Sequence, residues 1–349
     1  MESNMETIMA DPLVEKIQHL NKVVIDSVNV LLNKHLSGDD LMNVQDLVNY
    51  QHRTGGKRLR PLLCIMIGTA MGGNYDDIIK VAAIPELIHT SSLIFDDVVD
   101  WDPVRRGKPT THEIFEVGAA VMGGVTVAVE SMEASSPYGM HFITLTLWAM
   151  RRLMVGQAEE LLRIKQLDED QYMHVIDFKT AALFEAACKF GAMAAGATKL
   201  QIKDAGEYGR CIGTMYQICD DVVDVEKSIK LGKAIGDIQN GVITLPLIYT
   251  YRMTERDSMR KTIRKFIKSR TRDEVDATVI LQEMERLDAT GYARDEIEEL
   301  ADRARHVIKE WPWNNHTEML QKMPEFMAES ILAEINNPED QGAPEKEKE

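Results

Sequence analysis

The chain has 349 residues, of which 44% are hydrophobic, so it can bury a core large enough for one big domain or two smaller ones. Acidic side chains outnumber basic ones by 56 to 40, which gives a formal net charge of -16 at pH 7. This balance excludes most nucleic-acid-binding proteins, which hold phosphate backbones with clustered lysines and arginines. It also disfavours an anionic membrane surface.

Cysteine usage and apolar stretches indicate where such a chain works. Four cysteines in a chain of this length, with no CxxC pair, do not resemble a disulfide scaffold. We therefore expect a reducing, cytoplasmic location. Residues 1–12 contain no apolar core of signal-peptide length. The uncharged stretches 117–129 and 134–150 are short for a bilayer and are interrupted by polar or small residues, so we expect no transmembrane segment.

The predicted elements are helices, because apolar residues recur at spacings of three and four among Ala, Leu, Met, Glu and Lys. In chain order, the clearest predicted helices cover residues 11–36, 86–100, 145–167, 170–197, 205–227 and 293–310. Glycine pairs and polar segments separate them, at 55–56, 72–73, 102–110 and 228–241. Neither a β–α alternation nor a solenoid repeat is found in the sequence. It predicts an all-α fold, a large helical bundle.

The domain organisation follows from the same pattern. We predict a single helical domain over residues 1–335, in which about the first ten residues are flexible. Residues 336–349 contain two prolines, end in KEKE and have no apolar face to bury. They are predicted to form a disordered charged tail.

The five letters DDVVD occur twice, at residues 96–100 and 220–224. Positions i and i+4 of a helix lie on one face, so the first and last carboxylates of each segment project together. Like charges this close destabilise a helix unless a cation compensates them. Carboxylate oxygens suit a hard cation such as Mg²⁺. For one segment alone, a solvated acidic helix end is the alternative; the identical pair predicts metal binding.

Two basic segments lie beside chain breaks and are candidates to bind phosphate. One is GGKRLRP at 55–61, and the other is the run from Arg105 to Lys108, just after the first DDVVD. Glycines allow close backbone approach, and Arg offers a planar fork for bidentate phosphate contacts. Alternatively, Arg105 and Arg106 merely neutralise the neighbouring aspartates, which explains one segment but not the other.

Further polar residues stand near these motifs. Lys179 lies in an otherwise apolar predicted helix, where a lone lysine more often snorkels to the surface. Thr180 and the small residues after it favour a polar spot in a close-packed wall. Gln217 lies one turn before the second DDVVD and, by itself, fits packing as well as function. Lys233 follows a glycine in a loop, where an exposed lysine is unremarkable.

Taken together, these motifs resemble the trans-isoprenyl diphosphate synthase family, which includes farnesyl, geranylgeranyl and polyprenyl diphosphate synthases. The ordered motifs, between about residues 50 and 250, are GGKRLRP, ELIHTSSLIFDDVVD, WDPVRRGKPT, KTAALFEAA, YQICDDVVD, LGK and TLPLIY. The resemblance implies a helical bundle surrounding a deep central cavity, usually in a homodimer. It implies head-to-tail condensation of isopentenyl diphosphate with an allylic diphosphate, by magnesium-assisted ionisation, condensation and elimination. Two or three Mg²⁺ ions are expected in each site.

The resemblance also implies roles for individual residues. Isopentenyl diphosphate would be held by Lys57, Arg60, His89 and Arg106. Mg²⁺ would be held by Asp96, Asp100, Asp220 and Asp224, bridging to the allylic diphosphate. That diphosphate would be contacted by Arg105, Lys179 and Lys233, with Thr180 and Gln217 near the developing carbocation.

Product length can be predicted from helix geometry. Ser92 lies four residues before Asp96, one turn or roughly 6 Å deeper along the helix, and Ser91 precedes it. Family members that stop at farnesyl often have an aromatic ring at this position. Two small serines leave the channel open towards Ile88 and Pro85, which indicates a product of C20 or longer.

Three positions depart from the family pattern. Val125 stands where an acidic residue often follows Gly124, Val242 where a lysine often follows Gly241, and Tyr216 where Phe is more usual. These departures leave open a catalytically weak regulatory or binding subunit of a heteromer. A class I terpene cyclase and a head-to-head condensing enzyme of the squalene synthase type are further alternatives. The second DDVVD and GGKRLRP disfavour the cyclase, and the placement of the basic motifs disfavours the head-to-head enzyme.

Overall fold

A computed structural model of the chain describes residues 12–162, 167–268 and 274–336. Over this part the chain is helical, and the helices are α1 (Pro12–His35), α2 (Gln45–Arg53), α3 (Leu59–Ala70), α4 (Tyr75–Asp100), α5 (Thr111–Ser135), α6 (Met140–Leu161), α7 (Glu169–Ile176), α8 (Ala182–Ala194), α9 (Lys199–Leu231), α10 (Gly236–Asn240), α11 (Leu245–Met253), α12 (Asp257–Lys268), α13 (Glu274–Arg286), α14 (Ala289–Val307) and α15 (Asn315–Leu332). A π-helical turn, Asp177–Ala181, joins α7 to α8. The all-α prediction is confirmed.

The sheet content of the described chain is one antiparallel hairpin between α4 and α5. Its strands, β1 (Val104–Arg105) and β2 (Lys108–Pro109), have two residues each, and Arg105 pairs with Lys108. Arg106 and Gly107 form the turn with positive φ values of 54° and 72°. The hairpin occupies the segment 102–110 that the sequence predicts as a break between helices.

The described residues form two compact units. The first contains residues 12–162, 173–214 and 300–324, and the second contains 167–172, 215–268, 274–299 and 325–336. Helix α9 contributes its residues up to Thr214 to the first unit and those from Met215 to the second. The prediction of one domain over residues 1–335 stays a prediction. The predicted flexible first ten or so residues, and residues 337–349 of the predicted tail 336–349, lie outside the described residues. Asn336, the first residue of that tail, ends a short 3-10 helix, Ala333–Asn336.

In the first unit, α4 is the central helix and packs against α3, α5 and α8. It is apolar on most of its surface, and residues 81–84 are at most 1% exposed. Helices α3 and α8 approach closely at Gly191, where a Cβ would lie 2.0 Å from the backbone oxygen of Cys64. Only glycine fits this contact, so the small residues of α8 serve close helix packing.

The second unit has its own apolar core. It is formed by residues of α9 to α14, and its buried members include Val225, Leu247, Ile263, Phe266 and Ile280. Burial of this set gives the unit a hydrophobic driving force of its own. The carboxyl half of α9 carries the second DDVVD, and this core holds that half in place.

Two described helical segments are long and apolar enough, by length and composition, to cross a membrane. In Tyr75–Asp100, 78% of the 18-residue apolar stretch is buried within the protein, as is common for a core helix. In Thr111–Tyr138, which includes α5, only 28% of the corresponding 18-residue stretch is buried. Helix α5 therefore exposes apolar side chains at helical spacing, among them Ile114, Met122, Val125 and Val129.

Candidate active site

The first aspartate cluster, Asp96, Asp97 and Asp100, forms the last turns of α4. Asp96 is half-buried and Asp100 is exposed. The helix ends directly after them, because Trp101 adopts a left-handed conformation with a φ of 57°. Burial raises the pKa of Asp96 to about 6, and repulsion from Asp100 acts in the same direction. The outer carboxylates are thus poorly stabilised as anions, which is a setting that favours a bound cation.

Asp97, the middle member of the cluster, has a different environment. It is fully buried, and its carboxylate pairs with the guanidinium of Arg105 on β1. Arg105 also lies 3.8 Å from Asp102. The hairpin after α4 thus returns a cation to the helix end. The structure places Arg105 against an aspartate, and its predicted contact with the allylic diphosphate stays a prediction.

Lys179 comes from the π-helical turn and lies close to this cluster. Its ammonium pairs with Glu160 on α6. Burial alone would lower its pKa, but attraction by Glu160, Asp96 and Asp100 outweighs burial and raises it. Lys179 is therefore a firmly charged group among three carboxylates. The sequence-predicted residues Asp96, Asp100 and Lys179 are brought together.

The backbone around Lys179 is shaped by contacts from distant residues. Gly156 on α6 lies so close to the turn that a Cβ would be 2.5 Å from the Lys179 backbone nitrogen. Asp177, at the start of the turn, accepts hydrogen bonds from Arg152 at 2.9 Å and from Arg210 at 2.6 Å. Thr180, the next predicted residue, is 8% exposed. These contacts hold the π-helical turn that carries Lys179 and Thr180.

The predicted isopentenyl diphosphate residues come from three segments of the first unit. Lys57 is exposed just before α3, and Arg60 lies in its first turn with its guanidinium 4.4 Å from the centre of the Phe184 ring. Arg106 donates a hydrogen bond to the backbone oxygen of Gly55. Burial, followed by repulsion from Arg60 and Arg106, lowers the pKa of His89 well below its usual value. Arg60, His89 and Arg106 therefore share one positive region.

The second aspartate cluster, Asp220, Asp221 and Asp224, lies on the carboxyl half of α9. Asp220 and Asp224 are half-buried, whereas Asp221 is 2% exposed. Asp221 accepts hydrogen bonds from the Tyr172 hydroxyl at 2.7 Å, the Leu245 N–H at 3.1 Å and the Gln217 amide at 3.3 Å. Burial nevertheless raises its pKa to about 7. Here too the middle aspartate is enclosed in protein.

The loop after α9 contacts the last aspartate of this cluster. Asp224 accepts a hydrogen bond of 2.9 Å from the backbone N–H of Asp237. Gly236 has a φ of 52°, and a Cβ there would lie 2.2 Å from a carboxylate oxygen of Asp224. Lys233 is exposed in the same loop. The structure therefore brings the loop backbone to Asp224, while the predicted diphosphate contact of Lys233 stays a prediction.

The two predicted chain-length residues, Ser91 and Ser92, are buried on α4. Ser91 donates a hydrogen bond of 2.9 Å to the backbone oxygen of Gly124 on α5, and Ser92 donates one of 2.9 Å to that of His89. They are 4% and 8% exposed. Both hydroxyls are thus satisfied by backbone, and the side chains occupy little volume at this level of α4.

The departures from the family pattern occupy different settings. Val125 is 43% exposed on the apolar surface of α5, and Val242 is half-buried before α11. Tyr216 is half-buried on α9.

Sequence reasoning missed residues on α6. Glu160 forms the ion pair with Lys179, and Gln157 is 7% exposed with both amide atoms lacking a protein partner. They lie three residues apart, so both belong to the same side of the helix. The polar residues Gln157, Glu159 and Glu160 of the segment VGQAEEL were the available signal. A buried amide with unmet hydrogen bonds is a common feature of ligand sites.

Comparison with known proteins agrees with the family resemblance that the sequence motifs indicate. The profile of the polyprenyl synthetase family matches residues 42–284. Octaprenyl diphosphate synthase of Escherichia coli (strain K12) is 31% identical over 310 residues, covering 86% of this chain and 94% of the relative. Geranylgeranyl pyrophosphate synthase 12, chloroplastic, of Arabidopsis thaliana is 37% identical over 240 residues, covering 63% of this chain and 67% of the relative.

A solved structure agrees as well. The polyprenyl synthase from Caulobacter crescentus CB15, complexed with calcium and isoprenyl diphosphate, is 28% identical with a TM-score of 0.81. The match covers 90% of this chain and 97% of the other. The fold and the sequence relatives define a prenyltransferase. The chain belongs to the polyprenyl synthetase family, as the sequence motifs predict.

Proposed function

We propose that this protein condenses isopentenyl diphosphate with an allylic diphosphate, head to tail, to give a trans-polyprenyl diphosphate of C20 or longer. The observation that carries the proposal is the arrangement along α4. Its last turns present Asp96 and Asp100 beside the charged Lys179, and two turns earlier His89 lies in the positive region of Arg60 and Arg106. A cation-binding and an anion-binding group on one helix suit two diphosphate substrates.

We propose that the cofactor is Mg²⁺ and that each site binds two or three ions, with Asp96, Asp100, Asp220 and Asp224 as the protein ligands. The donor set fits, because the outer aspartates are hard oxygen ligands, and because burial and repulsion from Asp100 raise the pKa of Asp96, an effect that a bound cation would oppose. Among the described residues, no group of three or more His, Cys, Asp or Glu side chains converges as a metal site. Mg²⁺ commonly takes one or two carboxylates and completes its shell with water and phosphate. It would supply charge stabilisation to the departing diphosphate.

The chain's own cations would divide between the two diphosphates. Lys57, Arg60 and Arg106 would hold isopentenyl diphosphate by charge, and His89, whose lowered pKa keeps it neutral near pH 7, would do so by hydrogen bonding. Arg105, Lys179 and Lys233 would hold the allylic diphosphate as negative charge develops on it. The Thr180 hydroxyl and the Gln217 amide would present their oxygens to the allylic cation. The apolar neighbours of these groups would exclude water from that cation.

A product of C20 or longer is supported by the small volume of Ser91 and Ser92 next to α5. The variant Ser92→Phe should shorten the product by at least one C5 unit, because an aromatic ring would fill space one turn below Asp96. Product sizes from the wild type and from Ser92→Ala, the matched small control, check this. An unchanged product distribution in Ser92→Phe would contradict the orientation assumed for α4.

We propose that the protein acts as a homodimer in the cytoplasm. The apolar surface of α5 supports the dimer, because residues 117–129 carry no charge. Each chain has a net charge of -16, so two copies would repel each other at most surfaces. An uncharged apolar surface is a place where a second copy could pack without that repulsion. The four cysteines are free and buried, which agrees with a reducing compartment. Sedimentation of the wild type and of Val129→Lys tests the dimer: the variant should shift towards monomer.

The alternative function is a regulatory or binding subunit of a heteromeric synthase. The exposed Val125 favours it, since an apolar side chain stands on the α5 surface where an acidic residue is usual. The deciding experiment incubates the purified protein with Mg²⁺, labelled isopentenyl diphosphate and C5, C10 or C15 allylic diphosphates, and sizes the products. Elongation to C20 or beyond supports the synthase. No extension of any primer would overturn it and favour the subunit.

A further inference from the structure

We propose that Arg58 and Glu86 form a positioning pair that orients the isopentenyl diphosphate subsite without touching the substrate. This inference rests on the proposed function, which assigns Lys57, Arg60, His89 and Arg106 to that subsite. The motifs assign no role to Arg58 or Glu86. We expect the pair to affect the binding of isopentenyl diphosphate and not that of the allylic diphosphate.

The backbone of Arg58 is in an unusual conformation at a critical point. It precedes the first residue of α3 and has φ 48° and ψ 36°, the left-handed region that residues with a Cβ adopt only at an energetic cost. Lys57 is its neighbour, and Arg60 lies in the helical turn that follows. A relaxation of Arg58 would therefore change the direction of both side chains at once.

The side chain of Arg58 holds this conformation through contacts with three helices. Its Nη1 donates to Glu86 of α4 at 2.5 Å, and its Nε and Nη2 donate to the Asn29 side chain of α1 at 3.2 and 2.9 Å. Nη2 also donates to the backbone oxygen of His52 in α2 at 2.8 Å. All three guanidinium nitrogens have protein partners, and the residue is 4% exposed. Arg58 is thus committed to the protein rather than available to a phosphate.

Glu86 connects this anchor to the other half of the subsite. It lies three residues before His89 on α4, so the two side chains are neighbours on one side of the helix. Glu86 is 3% exposed. The ion pair therefore fixes the segment that carries Lys57 and Arg60 against the helix that carries His89.

The third segment of the proposed subsite is the hairpin that carries Arg106. It contacts the start of the loop 55–58, whereas Arg58 is held at the end of that loop. Arg106 donates to the backbone oxygen of Gly55, and a Cβ on Gly56 would lie 3.0 Å from its guanidinium. Contacts on both sides thus define the loop 55–58. A buried ion pair is weak evidence for stability, because apolar replacements of such pairs are often neutral. The geometry of a pair that links two binding segments points instead to orientation.

The test uses Glu86→Gln and Arg58→Lys, with Glu283→Gln as the matched control. Glu283 is also a buried carboxylate, 2% exposed and paired with Arg286, and it belongs to the second unit, whereas the residues of the proposed subsite belong to the first. Isopentenyl diphosphate is not allylic, so it does not lose its diphosphate to form a stabilised carbocation. Its binding can therefore be measured by calorimetry without turnover. We expect both site variants to raise its Kd and KM by roughly tenfold or more, because small misplacements of binding groups have large effects. The KM for the allylic diphosphate and the values for Glu283→Gln should stay within about twofold.

The outcomes separate this inference from the proposed function. A wild type that elongates no primer overturns both. An elongating wild type whose folded Glu86→Gln variant binds isopentenyl diphosphate normally, or loses affinity for both substrates equally, overturns the positioning role alone. If the single variants do not fold, the apolar double variant Arg58→Met/Glu86→Leu replaces them. It should fold and show the same selective loss, and failure to fold would show that the pair serves folding instead.

Discussion

The two DDVVD segments have identical letters and different surroundings. In both, the outer aspartates are accessible or half-buried and the middle one is enclosed. Asp97 is neutralised by a cation, Arg105, which the hairpin returns to the helix end. Asp221 instead receives neutral hydrogen bonds from Tyr172, Gln217 and the Leu245 N–H.

The contrast between outer and middle aspartates, which both clusters share, indicates two separate roles within each motif. In the proposed function the outer carboxylates bind a cation, whereas the middle carboxylate contacts a neighbouring segment and holds it against the helix. For the first cluster that segment is the hairpin 102–110, and for the second it is the start of α11. The comparison therefore predicts different consequences for outer, middle and partner residues.

The largest expected effect is on activity. Asp96→Asn and Asp220→Asn should each lower kcat by about a thousandfold, since each removes a proposed metal ligand beside the departing diphosphate. Asp97→Asn, once folded, should lose roughly tenfold, because it acts only through the hairpin. Initial rates of labelled isopentenyl diphosphate incorporation over a range of Mg²⁺ concentrations measure this. Equal losses in all three variants, with one Mg²⁺ dependence, would remove the distinction.

The next effect is on the stability of the first cluster. Arg105→Gln should lower the free energy of unfolding by about 3 kcal/mol, because it leaves the buried Asp97 charge without its cation. The matched control is Arg53→Gln, whose partner Asp46 is 3.9 Å away and exposed, and which should change stability by less than about 0.5 kcal/mol. Urea unfolding without Mg²⁺ measures both. A loss no larger than that of the control would show that Arg105 does not neutralise Asp97.

The smallest effect is expected at the second cluster. Tyr172→Phe should lower the free energy of unfolding by about 1 kcal/mol, since one of several neutral hydrogen bonds to Asp221 is lost. Tyr50→Phe is the control, because its hydroxyl bonds the backbone oxygen of Pro109 at an exposed position. The same urea titration applies. If Tyr172→Phe were as damaging as Arg105→Gln, the two middle aspartates would be held by contacts of similar strength.

Much of the fold could be predicted because its signals are local. Helical periodicity placed α1 at residues 11–36 against an observed Pro12–His35, and α14 at 293–310 against Ala289–Val307. The prediction for α4 began at Glu86, whereas the helix begins at Tyr75 and runs through Pro85. Proline disfavours a helix interior, but burial of the surrounding apolar residues outweighs that preference here.

The contacts that complete the site have no local signature. The predicted single helix 170–197 is divided by the π-helical turn, which Arg152 and Arg210 hold from positions 25 and 33 residues away through Asp177. Arg58 and Glu86 are 28 residues apart, and Tyr172 and Asp221 are 49 apart. Sequence spacing could identify the aspartates and basic motifs by their letters. It could not show which aspartate of each motif the fold would enclose.

The most direct test of this division is a crystal structure with Mg²⁺, isopentenyl diphosphate and a non-ionising thio-analogue of the allylic diphosphate. We predict Mg²⁺ on the outer aspartates Asp96, Asp100, Asp220 and Asp224, with Asp97 still paired to Arg105 and Asp221 still bonded to Tyr172. Magnesium coordinated by Asp97 or Asp221, with those contacts broken, would contradict it.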